Sequence, residues 1–217
     1  MNAAQLERLN DHLGRLRLVK SRERLEALLQ DASTKDLSYA DFLDQLLSEE
    51  VASKTAKNVT MRTSLARFPF VKGLEQFDFT YQPSLDKKQV QTLASCHFIE
   101  HGENVVILGP PGVGKSHLAI GLGLKAIEHG YRVLFTTAAA MIATLTRALT
   151  ENRLEDRLKT YTVPRLLPLA APCGRAGLFS GVARSCLACD SERSACYWCL
   201  QRTSLRVCRP TRRRVVC

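Results

Sequence analysis

The chain has 217 residues and a formal net charge of +10, with 45% hydrophobic and 24% charged residues. This composition is typical of a folded globular protein rather than a fibrous or disordered chain, and no apolar run approaches the roughly 18 residues of a membrane-spanning helix. The first twenty residues carry charges throughout and lack the apolar segment of a secretory signal, so we expect a cytoplasmic protein. A basic charge of this size favours a polyanionic partner such as nucleic acid.

Most of the basic charge lies in the last fifty residues, 168–217. Seven of the eight cysteines and nine arginines fall there, against only Asp190 and Glu192, so this segment carries +7 of the +10. It contains no Lys, Ile, Asn, Met or His. Because such an abrupt change in residue usage marks a boundary in a chain, we treat 168–217 as a separate Arg- and Cys-rich tail.

Residues 1–66 predict a helical N-terminal module. Leucines at positions 6, 9, 13 and 16 recur at helical spacing, and residues 22–30 continue the pattern. Ser38 followed by Asp41 resembles a capping box with Asp in place of Glu, which predicts the start of a further helix. We expect that helix to bury the apolar residues Phe42, Leu43, Leu46, Leu47 and Val51.

A row of basic residues follows at roughly helical spacing, made of Lys54, Lys57, Arg62 and Arg67. A solvated helix face explains the row, and so does a surface for the DNA backbone or for a partner protein. The sequence leaves both interpretations open.

Residues 67–103 predict a connector and a helix. The stretch 67–81 is rich in phenylalanine around Pro69 and Gly73, which indicates an ordered but non-helical segment. Its aromatic rings are expected to pack on the edge of a domain rather than to stack on bases. Pro83 then opens a helix.

A phosphate-binding loop begins at Gly109. The β-branched run 104–108 predicts a buried strand, the loop has the complete pattern G-x-x-x-x-G-K-[ST], and a helical stretch follows at 117–129. Strand, loop and helix stand in the order that such a loop requires. The predicted nucleotide-binding residues are Gly109, Pro110, Pro111, Gly112, Val113, Gly114, Lys115, Ser116 and His117.

Each residue type in this loop has a chemical reason. Glycines let backbone N–H groups wrap closely around phosphates. Lys115 neutralises β- and γ-phosphate oxygens, Ser116 offers its hydroxyl to Mg²⁺ as the predicted metal ligand, and the helix N-terminus adds partial positive charge. His117 has two interpretations, a histidine on the helix surface or a nucleotide contact.

The sequence after Gly130 predicts a second strand at 131–137, a long helix at 138–160 and the start of a third strand at 163–167. In P-loop ATPases that third strand ends in acidic residues that hold Mg²⁺ and orient the attacking water. Here no acidic residue follows before Asp190. We therefore expect hydrolysis to be lost, and we assign no catalytic residue.

Four segments together resemble the IstB-like helper ATPases of bacterial insertion sequences, which are AAA+ proteins similar to the helicase loader DnaC. They are SYADFLDQLLSEEV, FDFTYQPSLDKKQV, GPPGVGKSHLAIGLG and YRVLFTTAAAMIATL, and the likeness runs from about Gln5 to Leu167. The resemblance implies an ATPase that oligomerises on DNA with ATP bound and delivers target DNA to a transposase. Residue by residue it carries over Gly109, Gly112, Gly114, Lys115 and Ser116.

The resemblance also implies the fold, an incomplete α/β P-loop NTPase of the AAA+ type. We expect a parallel sheet with helices on both faces and a partial ATPase core at 104–167, between the helical module and an irregular tail. In the related ATPases an acidic strand and a sensor strand separate the P-loop strand from the strand at 131–137. This chain is expected to be truncated or frameshifted after about residue 167 and to lack most of those inner strands.

Two interpretations of the tail remain open. Translation out of frame yields Arg, Ala, Pro, Gly, Ser and Cys from GC-rich DNA, and it predicts a disordered tail. Alternatively, a four-thiolate zinc knuckle forms, with Arg212–Arg214 on nucleic acid. Its ligands would be Cys186, Cys189, Cys196 and Cys199.

Two functions match these interpretations. The favoured one is an ATP-binding helper for DNA transposition, with ATP and Mg²⁺ as cofactors and with DNA, a transposase and further copies of the chain as partners. The alternative is a helicase-loader-like or DNA-binding fragment without ATPase activity. Neither function involves a membrane.

Overall fold

The computed structural model describes residues 3–83, 85–107, 109, 112–172, 195–201 and 213–216. The chain divides into two compact units, Met1–Thr60 and Met61–Cys217. Within the described residues, no helix combines the length and apolarity needed to cross a bilayer.

The first unit is helical, as the leucine spacing predicts. It contains α1 (Ala3–Arg15), α2 (Val19–Lys35) and most of α3 (Tyr39–Leu65), whose last residues belong to the second unit. Its core consists of Leu25, Leu28 and Leu46, with Leu6, Leu13, Leu29 and Phe42 packed against them.

Ser38 caps α3, as predicted. Its Oγ accepts a hydrogen bond from the backbone N–H of Asp41 at 3.2 Å and donates one to the Asp41 carboxylate at 2.6 Å. The shorter Asp side chain therefore bonds the capping hydroxyl, whereas the Glu of a capping box reaches the capping backbone N–H.

The predicted burial along α3 is wrong for three residues. Leu43, Leu47 and Val51 are 53%, 42% and 62% exposed, whereas Leu46 is only 7% exposed. Residues four apart share one side of a helix, so Phe42 and Leu46 lie on the packed side. Leu43 and Leu47 are each one residue further on and lie about 100° around the helix.

A buried carboxylate joins α3 to the start of α2. Glu50 is 4% exposed, and its Oε2 accepts hydrogen bonds from the backbone N–H groups of Lys20 at 2.6 Å and Ser21 at 3.2 Å. The Ser21 hydroxyl donates to the carbonyl of Leu46 at 2.9 Å. Leu18, at the N-cap, makes no side-chain cap, so α3 supplies the cap of α2 from 30 residues away.

The connector of the second unit contains two short 3₁₀ turns, Leu74–Gln76 and Phe79–Tyr81. The helix expected from Pro83 begins later, because Asp86 caps it by accepting from the Lys88 N–H at 2.8 Å. That helix is in two parts, α4 (Lys87–Ala94) and α5 (His97–Glu100), separated by a left-handed Cys96 with φ of 61°.

The strand–loop–helix order around the glycine-rich loop is confirmed, and the long helix expected at 138–160 is two helices. They break at 151–153, where Asn152 has φ of 56°. The strand expected at 131–137 pairs only at its end and at a single bridge from Val133 to Leu166. The elements in chain order are β1 (Asn104–Ile107), α6 (Lys115–Glu128), β2 (Thr136–Thr137), α7 (Ala138–Thr150), α8 (Leu154–Thr162), β3 (Leu166–Pro172), β4 (Ala195–Gln201) and β5 (Arg213–Val216).

The five strands form one sheet in the order β2-β3-β4-β1-β5. β1 and β2 are not neighbours, as the resemblance implies. The β1–β5 and β2–β3 pairs are parallel, but β4 runs antiparallel to both β1 and β3. The sheet is therefore mixed where a parallel one was expected, and the tail expected to be irregular contributes three strand segments, namely residues 168–172 of β3 and the whole of β4 and β5. A strand at the edge of a sheet leaves backbone N–H and C=O groups without partners. β4 lies between β1 and β3 and pairs with the backbone groups of both.

Both faces of β3 are covered. Successive side chains of a strand point to opposite faces, and Leu166 and Leu167 are 0% and 2% exposed. Leu167 packs with Tyr161 of α8, beside Met141 and Leu145 of α7. Helix α6 also contacts β3. The α/β fold class predicted for the second unit is thus confirmed.

Candidate phosphate site

The described glycines of the predicted phosphate loop have unusual backbone conformations. Gly109, Gly112 and Gly114 have φ of 151°, 89° and 89°. At Gly112 and Gly114 this is the left-handed region, which residues with a Cβ rarely adopt. Pro110 and Pro111, also predicted to bind nucleotide, lie outside the described residues.

The loop has space on the side of Gly112. Among the described residues other than its chain neighbours, a Cβ added to Gly112 would meet no atom within 4 Å, whereas one added to Gly109 would lie 3.4 Å from Cγ2 of Val113 and 3.9 Å from Cδ of Lys115. The Lys115 stem therefore lies beside the first glycine of the loop. Space beside Gly112 and a lysine stem beside Gly109 fit a ligand that approaches the loop backbone closely, as a phosphate group does.

Lys115 is the first residue of α6 and is only 5% exposed. Among the described residues, the other buried polar side chains are Ser21 and Glu50. A helix N-terminus carries roughly half a positive charge, and a buried ammonium adds a full one. This end of α6 therefore concentrates positive charge, which favours an anionic ligand.

Ser116 and His117 occupy the rest of the first turn of α6, and both are half-buried. Nε2 of His117 lies 2.8 Å from the carbonyl oxygen of Gly73, and because a carbonyl only accepts, Nε2 is the donor. The His117 ring also lies 5.3 Å from the Phe77 ring, edge to face. The His117 side chain thus joins the first turn of α6 to the connector, a role that the spacing of the motif does not predict.

The connector lies close to Gly114, at the N-cap of α6, and to two glycines within α6. A Cβ on Gly114 would lie 2.6 Å from Cε2 of Phe77, so the Phe77 ring rests directly on the last glycine of the loop. Further along α6, a Cβ on Gly121 would lie 2.6 Å from Leu74, and one on Gly123 would lie 2.8 Å from Phe68.

An ion pair and a ring contact also hold the connector in place. Lys125 of α6 donates to Glu75 at 2.7 Å and to Glu128 at 3.0 Å. This bond lowers the pKa of the Glu75 carboxyl below its usual value and, with Glu128, raises the pKa of Lys125. The Phe68 and Phe135 rings lie 6.2 Å apart. Phe68 and Phe77 therefore pack against the unit, as the predicted packing on a domain edge requires, whereas Phe70 and Tyr81 are 38% and 81% exposed.

The basic row at 54–67 is not uniform. Lys54 lies 3.8 Å from the Glu50 carboxylate, and Arg62 donates to the carbonyl of Gly130. These two residues therefore have structural partners. A DNA-binding role for Lys57 and Arg67 stays a prediction.

The third strand, β3, carries no carboxylate over Leu166–Pro172. Within the part of the chain that the structure describes, no cluster of three His, Cys, Asp or Glu side chains is placed to hold a metal ion. Cys186 and Cys189, which the zinc-knuckle interpretation requires, lie outside the described residues.

Comparison with known proteins gives consistent results. The family described as IstB-like ATP binding protein matches residues 11–171. Three similar proteins are each named for ATP binding in an insertion sequence. That of IS21 from Pseudomonas aeruginosa is 47% identical over 157 residues, which cover 72% of this chain and 59% of the relative. That of IS5376 from Geobacillus stearothermophilus is 40% identical over 161 residues, covering 74% and 64%. That of IS232 from Bacillus thuringiensis is 34% identical over 161 residues, again covering 74% and 64%.

The chain thus spans about three-fifths of the length of the curated relatives it matches. The matched region begins in α1, contains the phosphate loop and ends in β3, and it covers well over half of the 217 residues. On this match, the chain belongs to the family of IstB-like ATP-binding proteins.

Proposed function

We propose that this chain binds ATP with Mg²⁺ at the loop Gly109–Ser116 and acts in the transposition of an insertion sequence. The observation that carries the proposal is the buried Lys115 at the start of α6, directly after a loop whose described glycines have positive φ. The printed names of the relatives, ATP-binding proteins of insertion sequences, support the context.

In this proposal the residues of the loop bind and orient the phosphates. Backbone N–H groups of the loop and of the first turn donate to phosphate oxygens, and Lys115 neutralises their charge. The Ser116 hydroxyl holds Mg²⁺, which bridges phosphate oxygens. The open side of Gly112 admits the ligand.

Hydrolysis is not part of the proposed function. The loop residues supply no group that activates water, and β3 brings no carboxylate to the site. Orienting Mg²⁺ and the attacking water accounts for much of the rate of these ATPases. We therefore propose that bound ATP is a ligand rather than a substrate, with turnover at background.

The proposed partners follow from the family and from the charge. A net charge of +10 favours DNA, and the insertion-sequence context of the relatives favours a transposase and further copies of this chain. We propose that the chain meets these partners in the cytoplasm.

Titration of the full chain with a fluorescent ATP analogue and Mg²⁺ tests the site. We expect binding by the unsubstituted chain and none by Lys115→Ala, because this variant removes the cation that the phosphates meet. Lys88→Ala is the matched control, since it removes an exposed lysine of α4 and should bind normally. Equal binding by Lys115→Ala and the unsubstituted chain would refute the proposal.

A further inference from the structure

The connector contacts the last glycine of the phosphate loop and the first turn of α6. The Gly73 carbonyl accepts from Nε2 of His117 at 2.8 Å, and the Phe77 ring rests on Gly114. His117 and Gly114 flank Lys115 and Ser116 in the chain. The two residues proposed to meet the phosphates and Mg²⁺ therefore lie between two contacts with the connector.

Two contacts hold the His117 ring, a hydrogen bond from Nε2 and a ring contact with Phe77. Nε2 donates to the connector backbone, and the ring lies 5.3 Å from Phe77 at an interplanar angle of 67°. Since His117 belongs to the first turn of α6, holding its ring also holds the orientation of that turn. The N–H groups of this turn are the ones that a bound phosphate would meet.

The Phe77 ring limits where Gly114 can move. Phe77 is 9% exposed and packs edge to face on Phe79, with ring centroids 4.9 Å apart. Its Cε2 occupies the space within 2.6 Å of an added Cβ on Gly114. The packed Phe77 ring thus restricts movement of Gly114, the last glycine of the loop.

The connector is itself anchored further along α6. Leu74 packs on Gly121, Phe68 packs on Gly123, and Glu75 accepts from Lys125. The contacts at Gly73 and Phe77 are therefore made by a supported segment and not by a free loop. A binding loop that is held in shape before the ligand arrives loses less conformational freedom on binding, which raises its affinity.

We propose that His117 is a positioning residue for nucleotide. Its hydrogen bond to Gly73 keeps Phe77 against Gly114 and thereby keeps the phosphate loop in its binding shape. The inference rests on the proposed nucleotide site and adds a regulatory link to it. Because such coupling is reciprocal, bound nucleotide stabilises the connector by the same free energy.

Three variants of the full chain test the hydrogen bond. His117→Ala removes the donor, His117→Asn retains an amide that is too short, and His117→Gln places an amide N–H at about the reach of Nε2. We expect Ala and Asn to weaken binding of the ATP analogue by roughly 3- to 10-fold, as for the loss of one hydrogen bond, and Gln to restore most of it. His129→Ala, an exposed histidine at the other end of α6, is the control and should leave affinity unchanged.

Hydrogen exchange separates positioning from a merely structural role. With saturating nucleotide, amides of residues 73–82 should exchange more slowly in the unsubstituted chain and should lose that protection in His117→Ala. A structural role alone would lower the stability of His117→Ala without changing its affinity or this protection, and that result would overturn the inference. If the unsubstituted chain binds and Lys115→Ala does not, but His117→Ala and His117→Asn bind normally, only the inference fails. If the unsubstituted chain does not bind, both proposals fail.

Discussion

Two glycines of the phosphate loop have the same φ and different surroundings. Gly112 and Gly114 both have φ of 89°, but an added Cβ at Gly112 meets no atom of another described residue within 4 Å beyond its chain neighbours, whereas one at Gly114 lies 2.6 Å from Phe77. An alanine substitution at each position can therefore distinguish the stability cost of the left-handed backbone from the stability cost of displacing Phe77.

Gly112→Ala should lower the free energy of unfolding by roughly 1–2 kcal/mol, the conformational cost of a left-handed residue with a Cβ. Gly114→Ala should lower it further, because the Phe77 ring must also move. Urea denaturation of both variants measures the difference. Equal losses at the two positions would show that Phe77 does not rest on Gly114.

Cys96 is a buried thiol outside the phosphate site. It is 1% exposed, and burial raises its pKa from 9.0 to about 11, with a smaller contribution from Glu100. Because the neutral thiol is favoured in the folded chain, its contribution to stability is complete below pH 9 and is lost as the pH rises through 11.

The same shift predicts slow alkylation of Cys96. At pH 8 the thiolate fraction falls about 100-fold when the pKa rises from 9.0 to about 11. Iodoacetamide labelling with peptide mapping should therefore show Cys96 protected in the folded chain and reactive in urea. Labelling of Cys96 at the same rate in both conditions would contradict its burial.

At the scale of elements, a helix cap formed by residues close in the sequence could be predicted, and one formed by residues far apart could not. Ser38 and Asp41 are three residues apart, so the start of α3 was visible in the sequence. The cap of α2 comes from Glu50, 30 residues away, and no local pattern contains it. Which side of α3 is buried also depends on which helices pack beside it. For this reason Leu43 was expected to be buried but is exposed.

The cap of α3 makes a quantitative prediction. Ser38→Ala removes the acceptor of the Asp41 N–H and should lower the stability of the first unit by about 0.5–2 kcal/mol. Ser48→Ala, an exposed position in the middle of the same helix, should be neutral or slightly stabilising because Ala has the higher helix propensity. Thermal denaturation followed by far-UV circular dichroism compares the two, and a larger loss in Ser48→Ala would count against the cap.

At the scale of the whole molecule, the sequence motif predicts the phosphate loop but not the connector contacts that support it. The loop motif is one continuous run, whereas Gly73 and His117 are 44 residues apart and meet only through the fold. The resemblance implied only that β1 and β2 are not neighbours, and the observed order β2-β3-β4-β1-β5 agrees with that. The place of β4 could not be read from the sequence, since its residues come long after β1 and its pairing is set by the open edges of β1 and β3.

The central position of β4 gives the last prediction. Trp198 is paired with Val106 of β1 and with Leu169 of β3, so its backbone lies in the middle of the sheet. Trp198→Pro removes a ladder N–H and is incompatible with a central strand. Each buried group left unpaired costs about 1–3 kcal/mol, against a typical domain stability of about 5–15 kcal/mol. We therefore expect Trp198→Pro to lose hydrogen-exchange protection at residues 104–107 and 166–172. α1 and α2 should remain helical.

Trp198→Val is the matched control, because it keeps the backbone N–H and a residue suited to strands. It should retain protection in β1 and β3 even if it loses some stability. Protection in Trp198→Pro equal to that of Trp198→Val would mean that β1 and β3 do not depend on β4. The backbone groups of β1 and β3 that face β4 would then be paired in another way.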